Sequence, residues 1–242
     1  MFQGNFYLIA VAGGSGTRMH ADVPKQFIEI REKAILQRSI EKFVSACPGI
    51  KVVTVLPEAH IPYWKQYCLS RNFSYPQMLV KGGITRFHSV RNALEKIPDG
   101  AFVAIHDGVR PLLSEAMIRR MFTEMRDKDA LIPVVPVTDT LKALSLEHDS
   151  DGGEHFSRLE GQNIDRSKVF AAQTPQMFRS EVIRKAYSQA YDTSFTDDAS
   201  VAERSGVRLC WCPGEKLNLK ITTPEDIILA EAVIRNWSRL NP

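Results

Sequence analysis

Three features of this 242-residue sequence predict an α/β fold with a doubly wound, mostly parallel sheet and a protruding β-arm. Short apolar, β-branched runs alternate with stretches whose apolar residues recur at helical spacing. Each of three such runs empties into a loop rich in glycine or charge. One long polar stretch, between about 138 and 165, breaks the alternation.

The first strand is Asn5–Ala12, an uncharged run suited to burial on both faces. A helix over Ala34–Ser45 follows, with Ile35, Leu36, Ile40, Phe43 and Val44 on one face. Lys51–Leu56 is a β-branched strand, Ala59–Arg71 a helix, and Met78–Val80 a short strand ending in Gly82-Gly83. Phe87, Val90, Ala93, Leu94 and Ile97 mark the next helix. Ala101–His106 is a buried strand, and Met117, Ile118, Met121, Phe122 and Met125 define the helix after it. Ala130–Val135 is again a strand. This order implies right-handed βαβ crossovers and helices on both faces of the sheet.

Within 138–165, the run Leu146–Glu154 is charged and turn-rich. Its flanks, Thr138–Leu144 and Phe156–Leu159, read as the two sides of a long hairpin. Regular structure resumes with a strand at Lys168–Ala172, a helix at Arg179–Tyr191 and a strand at Val207–Cys212. The last helix opens on Thr223-Pro224-Glu225-Asp226: a cap, a proline at the first helical position and acids in the first turn. The whole chain, 1–242, reads as one domain carrying residues 138–165 as an arm.

Ligands on such sheets sit beyond the carboxyl ends of the strands, where the polar clusters fall. After the first strand come Gly13-Gly14-Ser15-Gly16-Thr17-Arg18 and then Pro24-Lys25-Gln26. Glycines leave backbone N–H groups open to an anion, and two cations follow. A Walker loop would end in Gly-Lys-Ser/Thr, and a dinucleotide fingerprint would place glycine at Met19, so neither applies. Pro24 disfavours a helix through this segment, which predicts an extended loop wrapped around a triphosphate. After the fourth strand, Asp107 and Arg110 share a tight turn before Pro111; a carboxylate there can hold Mg²⁺ against phosphate oxygens.

Composition narrows the function classes. A formal charge of +3 with no basic run argues against nucleic acid, and no apolar stretch approaches the roughly 20 residues that span a bilayer. Met1–Asn5 lacks the basic start of a signal peptide, and the four cysteines show no C-x-x-C spacing. The expectation is a cytoplasmic protein with free thiols.

Seven motifs occur in order over the chain: A-x-G-G-S-G-T-R-M with P-K-Q, G-G-x-x-R-x-x-S-V, H-D-G-V-R-P, V-x-D-T-L-K, Q-T-P-Q-x-F, T-D-D-A-S and K-I-T-T-P-E-D. The set resembles the cytidylyltransferases that convert 2-C-methyl-D-erythritol 4-phosphate to its CDP derivative in non-mevalonate isoprenoid synthesis. The resemblance implies a Rossmann-like nucleotidyltransferase fold and a homodimer built through the arm. Ala12, Gly13, Gly14, Ser15 and Gly16 would cradle CTP. Arg18 and Lys25 would stabilise the transition state at the α-phosphorus. Gly82, Gly83 and Ser89 would face the base and ribose. Asp107 would act with Mg²⁺, and Arg110, Thr140, Arg166, Thr196 and Lys220 would meet the acceptor, with Arg166 reaching into the partner's site. Some family members carry an acid where this chain has Ile84, which would leave cytosine selection to backbone groups. Two other readings are ribitol-5-phosphate as acceptor and a nucleotide-binding regulator without turnover. The retained cations at positions 18 and 25 argue against the regulator.

Overall fold

The computed structural model describes residues 5–14, 23–149, 151–159 and 164–240. From the amino end, β1 (Phe6–Val11) leads to the small pair β2 (Glu29–Ile30) and β3 (Lys33–Ala34), then α1 (Ile35–Ala46) and β4 (Lys51–Leu56). Next come α2 (Ile61–Ser70), β5 (Gln77–Lys81), α3 (Arg86–Leu94), β6 (Phe102–Asp107), α4 (Glu115–Glu124) and β7 (Ala130–Pro136). The hairpin β8 (Leu144–His148) and β9 (Glu154–Arg158) follows. The chain ends with β10 (Phe170–Ala172), β11 (Gln176–Arg179), α5 (Ser180–Ala186), α6 (Asp198–Arg204), β12 (Cys210–Pro213), α7 (Pro224–Arg235) and α8 (Trp237–Leu240).

β1 is central, parallel to β4 on one side and β6 on the other, with β5 parallel beyond β4. β11 runs antiparallel between β6 and β7, while β7 also takes β10 antiparallel and β12 parallel. Four of the seven pairings in this eight-stranded sheet are parallel, so the mostly parallel expectation holds.

Alternate residues of β1 enter two different cores. Phe6, Leu8 and Ala10 pack with Leu36, Ile40 and Phe43 of α1, Trp64 of α2 and Phe122 of α4. Tyr7, Ile9 and Val11 pack with Phe87 and Val90 of α3, Ile183 of α5 and Val201 of α6. Side chains alternate across a strand, so a sheet covered on both faces requires apolar residues at every position. A third cluster, with Ile30, Leu112, Ile221 and Ala230, seats α7.

Three expectations change. Gln176–Arg179 is a strand, β11, where the sequence suggests none; Met177 and Phe178 face opposite cores. Four residues carry no readable period, and β11 takes its state from β6 and β7 on either side. The helix expected over Arg179–Tyr191 stops at Ala186, where Ser188 Oγ and Gln189 Nε2 donate to the Lys185 and Ala186 carbonyls at 2.7 and 2.8 Å in place of further helical N–H groups. Asp198–Arg204 is a helix announced by a capping box between Asp197 and Ser200, a signal that is present in the sequence.

The predicted arm contains the antiparallel pair β8–β9, in register from Leu144 opposite Arg158 to His148 opposite Glu154. It forms a sheet of its own and leaves Leu144, Leu146 and Phe156 exposed. Among the described residues, no helix is long and apolar enough to cross a membrane.

Candidate active site

A cavity of about 450 Å³ opens at the carboxyl ends of β1, β5 and β6. It is lined by Ala12, Gly13, Gly14, Lys25, Gly83, Ser89, Asp107 and Lys220, eight residues singled out from sequence, and also by Gln26, Ile84, Thr85 and Arg86. The described residues lining it include three cations, Lys25, Arg86 and Lys220, and a single carboxylate, Asp107. The balance favours a polyanion. A second cavity, about 500 Å³, lies between α2 and β5 and is walled by Trp64, Cys68, Leu69, Phe73, Tyr75 and Leu79. It is mainly apolar and has little to offer a triphosphate.

The loop after β1 begins as a continuation of the sheet, with Ala12 N–H donating to Val55 O at 3.0 Å. Gln26, buried, donates from Nε2 to Ala12 O at 3.1 Å and so ties the far end of the loop back to its start. Lys25 heads the 3-10 turn Lys25–Phe27, opened by Pro24. Phe27 wedges against Tyr63 and Trp64, with ring centroids at 4.8 and 5.8 Å. Lys25 is thus held by an amide anchor and an aromatic wedge just behind it. Ser15, Gly16 and Arg18 lie outside the described residues.

The loop after β5 is held from within. Ser89 Oγ accepts from Gly83 N–H at 3.0 Å and donates to Thr85 O at 2.9 Å. Gly82 N–H donates to Leu56 O at 2.8 Å, extending the pairing of β4 with β5. A Cβ on Gly83 would collide with the Cβ of His88, so only glycine lets the loop fold over the start of α3. Ile84 is 97% exposed and stands at the rim.

At the end of β6, His106 and Asp107 point to opposite faces and do different work. The Arg110 carbonyl, 3.1 Å from His106 Nε2, can only accept, so Nε2 carries the proton. Nδ1 then accepts from Thr174 Oγ1 at 3.1 Å, and Thr174 Oγ1 accepts from Asp107 N–H at 3.1 Å. Burial pushes the His106 imidazole down to about 4, so the ring is neutral and pins the turn that carries Asp107 and Arg110.

Asp107 sits inside a ring of three cations. Its Oδ2 lies 3.0 Å from Lys220 Nζ and 3.4 Å from Arg110 Nε, while Oδ1 faces Arg86 Nε at 3.6 Å. Burial alone would raise this carboxyl; Arg86, Lys220 and Arg110 outweigh it and hold it well below the usual carboxylate range. Arg110 is steadied by a 2.8 Å bond from Nη1 to Asn218 O. Lys220, which interrupts an otherwise apolar segment, stays exposed along its length while its Nζ reaches an acid on the cavity wall.

The remaining candidates lie apart from the cavity wall. Thr140 is exposed on the approach to the arm. Arg166, also exposed, binds the Thr138 carbonyl at 2.7 Å and so joins the two sides of the arm at its base. Thr196 is exposed ahead of α6, with its N–H bonded to Ser200 Oγ at 3.1 Å. Arg86 is the main functional residue to which sequence reasoning assigns no role, although it is the arginine of G-G-x-x-R. Among the described residues, no cluster of three or more His, Cys, Asp or Glu side chains could hold a metal ion.

Comparison with known proteins agrees with this geometry. The family model of IspD, 2-C-methyl-D-erythritol 4-phosphate cytidylyltransferase, matches residues 6–236. Proteins of that name from Phocaeicola vulgatus and Porphyromonas gingivalis are 37% and 41% identical, over 95% and 94% of this chain and 100% and 97% of their own. The structure of 4-diphosphocytidyl-2C-methyl-D-erythritol synthase from Anaerococcus prevotii superposes with a TM-score of 0.74 at 26% identity, covering 96% of this chain and 99% of that one. The bifunctional IspDF from Campylobacter jejuni matches over 94% of this chain and 54% of its own, also with a TM-score of 0.74. With the cationic cavity standing at the carboxyl ends of the strands, this chain belongs to the 2-C-methyl-D-erythritol 4-phosphate cytidylyltransferase family.

Proposed function

We propose that this protein transfers CMP from CTP to 2-C-methyl-D-erythritol 4-phosphate, giving 4-CDP-2-C-methyl-D-erythritol and pyrophosphate in isoprenoid precursor synthesis. The observation that carries the reading is the cavity whose described lining presents three cations and one carboxylate, in a chain matched by the family model over 6–236.

A phosphate oxygen of the acceptor attacks the α-phosphorus of CTP in line, and the bond to pyrophosphate breaks. The nucleophile is already an anion, so no side chain needs to remove a proton. The Asp107 carboxylate, the only one on the described cavity wall, is occupied by cations. What the site must supply is alignment and relief of repulsion between anions. Lys25, with Arg18 seven residues before it in sequence, neutralises charge building at the α-phosphoryl. Gly13, Gly14, Ser15 and Gly16 offer backbone N–H groups to the triphosphate, and Gly82, Gly83 and Ser89 shape the nucleoside end. Arg110 and Lys220 orient the acceptor phosphate, joined by Thr140, Thr196 and the partner subunit's Arg166 in a homodimer held by the arm.

The donor set fits Mg²⁺ delivered with the nucleotide. Magnesium binds through one or two carboxylates plus substrate phosphates, and Asp107, the carboxylate on the described cavity wall, would be its protein ligand. Bound there, the ion would supply positive charge against the triphosphate and the leaving pyrophosphate. The reading places the enzyme in the cytoplasm, where its nucleotide is made.

Pyrophosphate release with CTP and Mg²⁺, comparing 2-C-methyl-D-erythritol 4-phosphate with D-ribitol 5-phosphate, tests it. Strong preference for the first acceptor is expected. Preference for ribitol phosphate would overturn the acceptor, and CTP binding without turnover on either would make the protein a regulator.

A further inference from the structure

Arg86 heads α3, and its guanidinium is clamped by Asp198 of α6, 112 residues away. The pair is bidentate: Nη1 to Oδ1 and Nη2 to Oδ2, both at 2.7 Å. Asp198 is fully buried, and its Oδ1 also accepts from the Tyr187 hydroxyl at 2.5 Å. The Tyr187 ring is itself stacked on Phe87, beside Arg86. With one N–H of each Nη given to Asp198, Nε lies 3.6 Å from Asp107 Oδ1 on the site side.

We infer that Asp198, acting through Arg86, is a positioning residue for the acceptor end of the active site. The inference rests on the function proposed above. Its physical content is a division of charge. Asp198 occupies Arg86, so Arg86 steadies one oxygen of Asp107 without capturing the carboxylate. The other oxygen stays available to Lys220 and Arg110, which are held where an acceptor phosphate would lie. An unclamped Arg86 would be free to take Asp107 in a bidentate grip of its own, because paired N–H groups match a carboxylate. Lys220 and Arg110 would then lose the group that aims them. Two buried partners fixing a third residue's geometry, at a distance from the reacting atoms, is the usual build of a supporting shell around a site.

The test is steady-state kinetics of full-length Asp198→Asn, with CTP and 2-C-methyl-D-erythritol 4-phosphate varied separately. The expected result is a fall of about 10- to 100-fold in kcat/KM for the acceptor, with a raised acceptor KM, while the KM for CTP stays within about twofold. Asp198→Glu, which keeps a carboxylate, should restore most of the loss. Arg86→Lys should not, since one ammonium cannot hold two oxygens of Asp198 and still face Asp107. Tyr187→Phe keeps the stack on Phe87 and removes one hydrogen bond; it should shift the acceptor KM the same way by about threefold, and it decides the matter if Asp198→Asn does not fold. An unchanged acceptor KM in the folded variants would overturn the inference, as would a loss of kcat alone that follows the melting temperature. Wild type assayed alongside separates the two levels. An inactive wild type overturns the proposed reaction, whereas an active wild type with unaffected variants overturns only the role of Asp198.

Discussion

The carboxyl end of β6 and the β8–β9 hairpin both set acids against basic side chains, in opposite surroundings. At β6, Asp107 and its partners Arg86, Arg110 and Lys220 have side chains 10%, 29%, 13% and 42% exposed, so the acid is buried even where one cation is not. On the hairpin, His155 approaches Glu147 and Asp149 at 3.4 and 3.2 Å with every side chain at least half exposed. Exposed pairs contribute little, because water screens them and long side chains lose entropy. Breaking a buried pair leaves a charge in low dielectric without compensation. The distances are alike in the two regions. Burial shields the acid at β6 from water and leaves the hairpin a solvated edge with Leu144, Leu146 and Phe156 exposed.

Core packing gives the widest separation between the regions. Phe178→Ala, at a fully buried position on β11, should cost about 3–5 kcal/mol and lower Tm markedly. Phe156→Ala, on the arm at 70% exposure, should leave the Tm of the separated protomer unchanged and weaken self-association, read by sedimentation. Equal destabilisation by both would mean that the arm is part of the core.

Next in size is the chemistry. Lys25→Ala should reduce kcat by about 10²–10³, the loss of one preorganised charge, with the circular dichroism spectrum and Tm retained. Unchanged turnover would remove Lys25 from the mechanism.

The smallest expected effect is on pH dependence. His106 titrates at about 4 in the folded protein, below its ordinary 6.5, because it is buried. The unfolded chain therefore takes the proton first. Stability from this group is fully present above pH 6.5, is lost as pH falls from 6.5 towards 4, and is flat below that, a change of about 3 kcal/mol. His106→Gln should flatten that part of the curve relative to wild type, and Glu147→Gln on the arm should leave it as it was. Identical curves for His106→Gln and wild type would show that the ring is hydrated in the native state.

Much of the site is legible in the sequence. Lys25, Asp107 and Lys220 can be picked out because each is a charge set in, or just after, an apolar run, where placement needs a reason. Gly13, Gly14, Gly82 and Gly83 stand out because strands ending in glycine pairs mark turns; at Gly82 and Gly83 the amides prove to be bonded to Leu56 O and Ser89 Oγ. Arg86 and Asp198 are not legible as a pair. Both occur within visible motifs, but they are separated by 112 residues, and nothing local reports which acid a guanidinium meets. β11 escapes for a related reason: Gln176–Arg179 is too short for periodicity and is made a strand by its neighbours. Gln26, in sequence only part of a motif, proves to be buried and to donate to the Ala12 carbonyl at the end of β1.

The sequence by itself determined the alternation of strands and helices, the loops that carry chemistry and the position of the arm. Those features depend on periodicity and turn residues, which act over a few positions along the chain. Tertiary structure alone decided that three cations share Asp107, that Asp198 occupies one of them, and that Arg166 stands at the base of the arm and away from the cavity wall. Charge pairing in a protein interior depends on which groups are desolvated together, and that follows from the packing of distant segments.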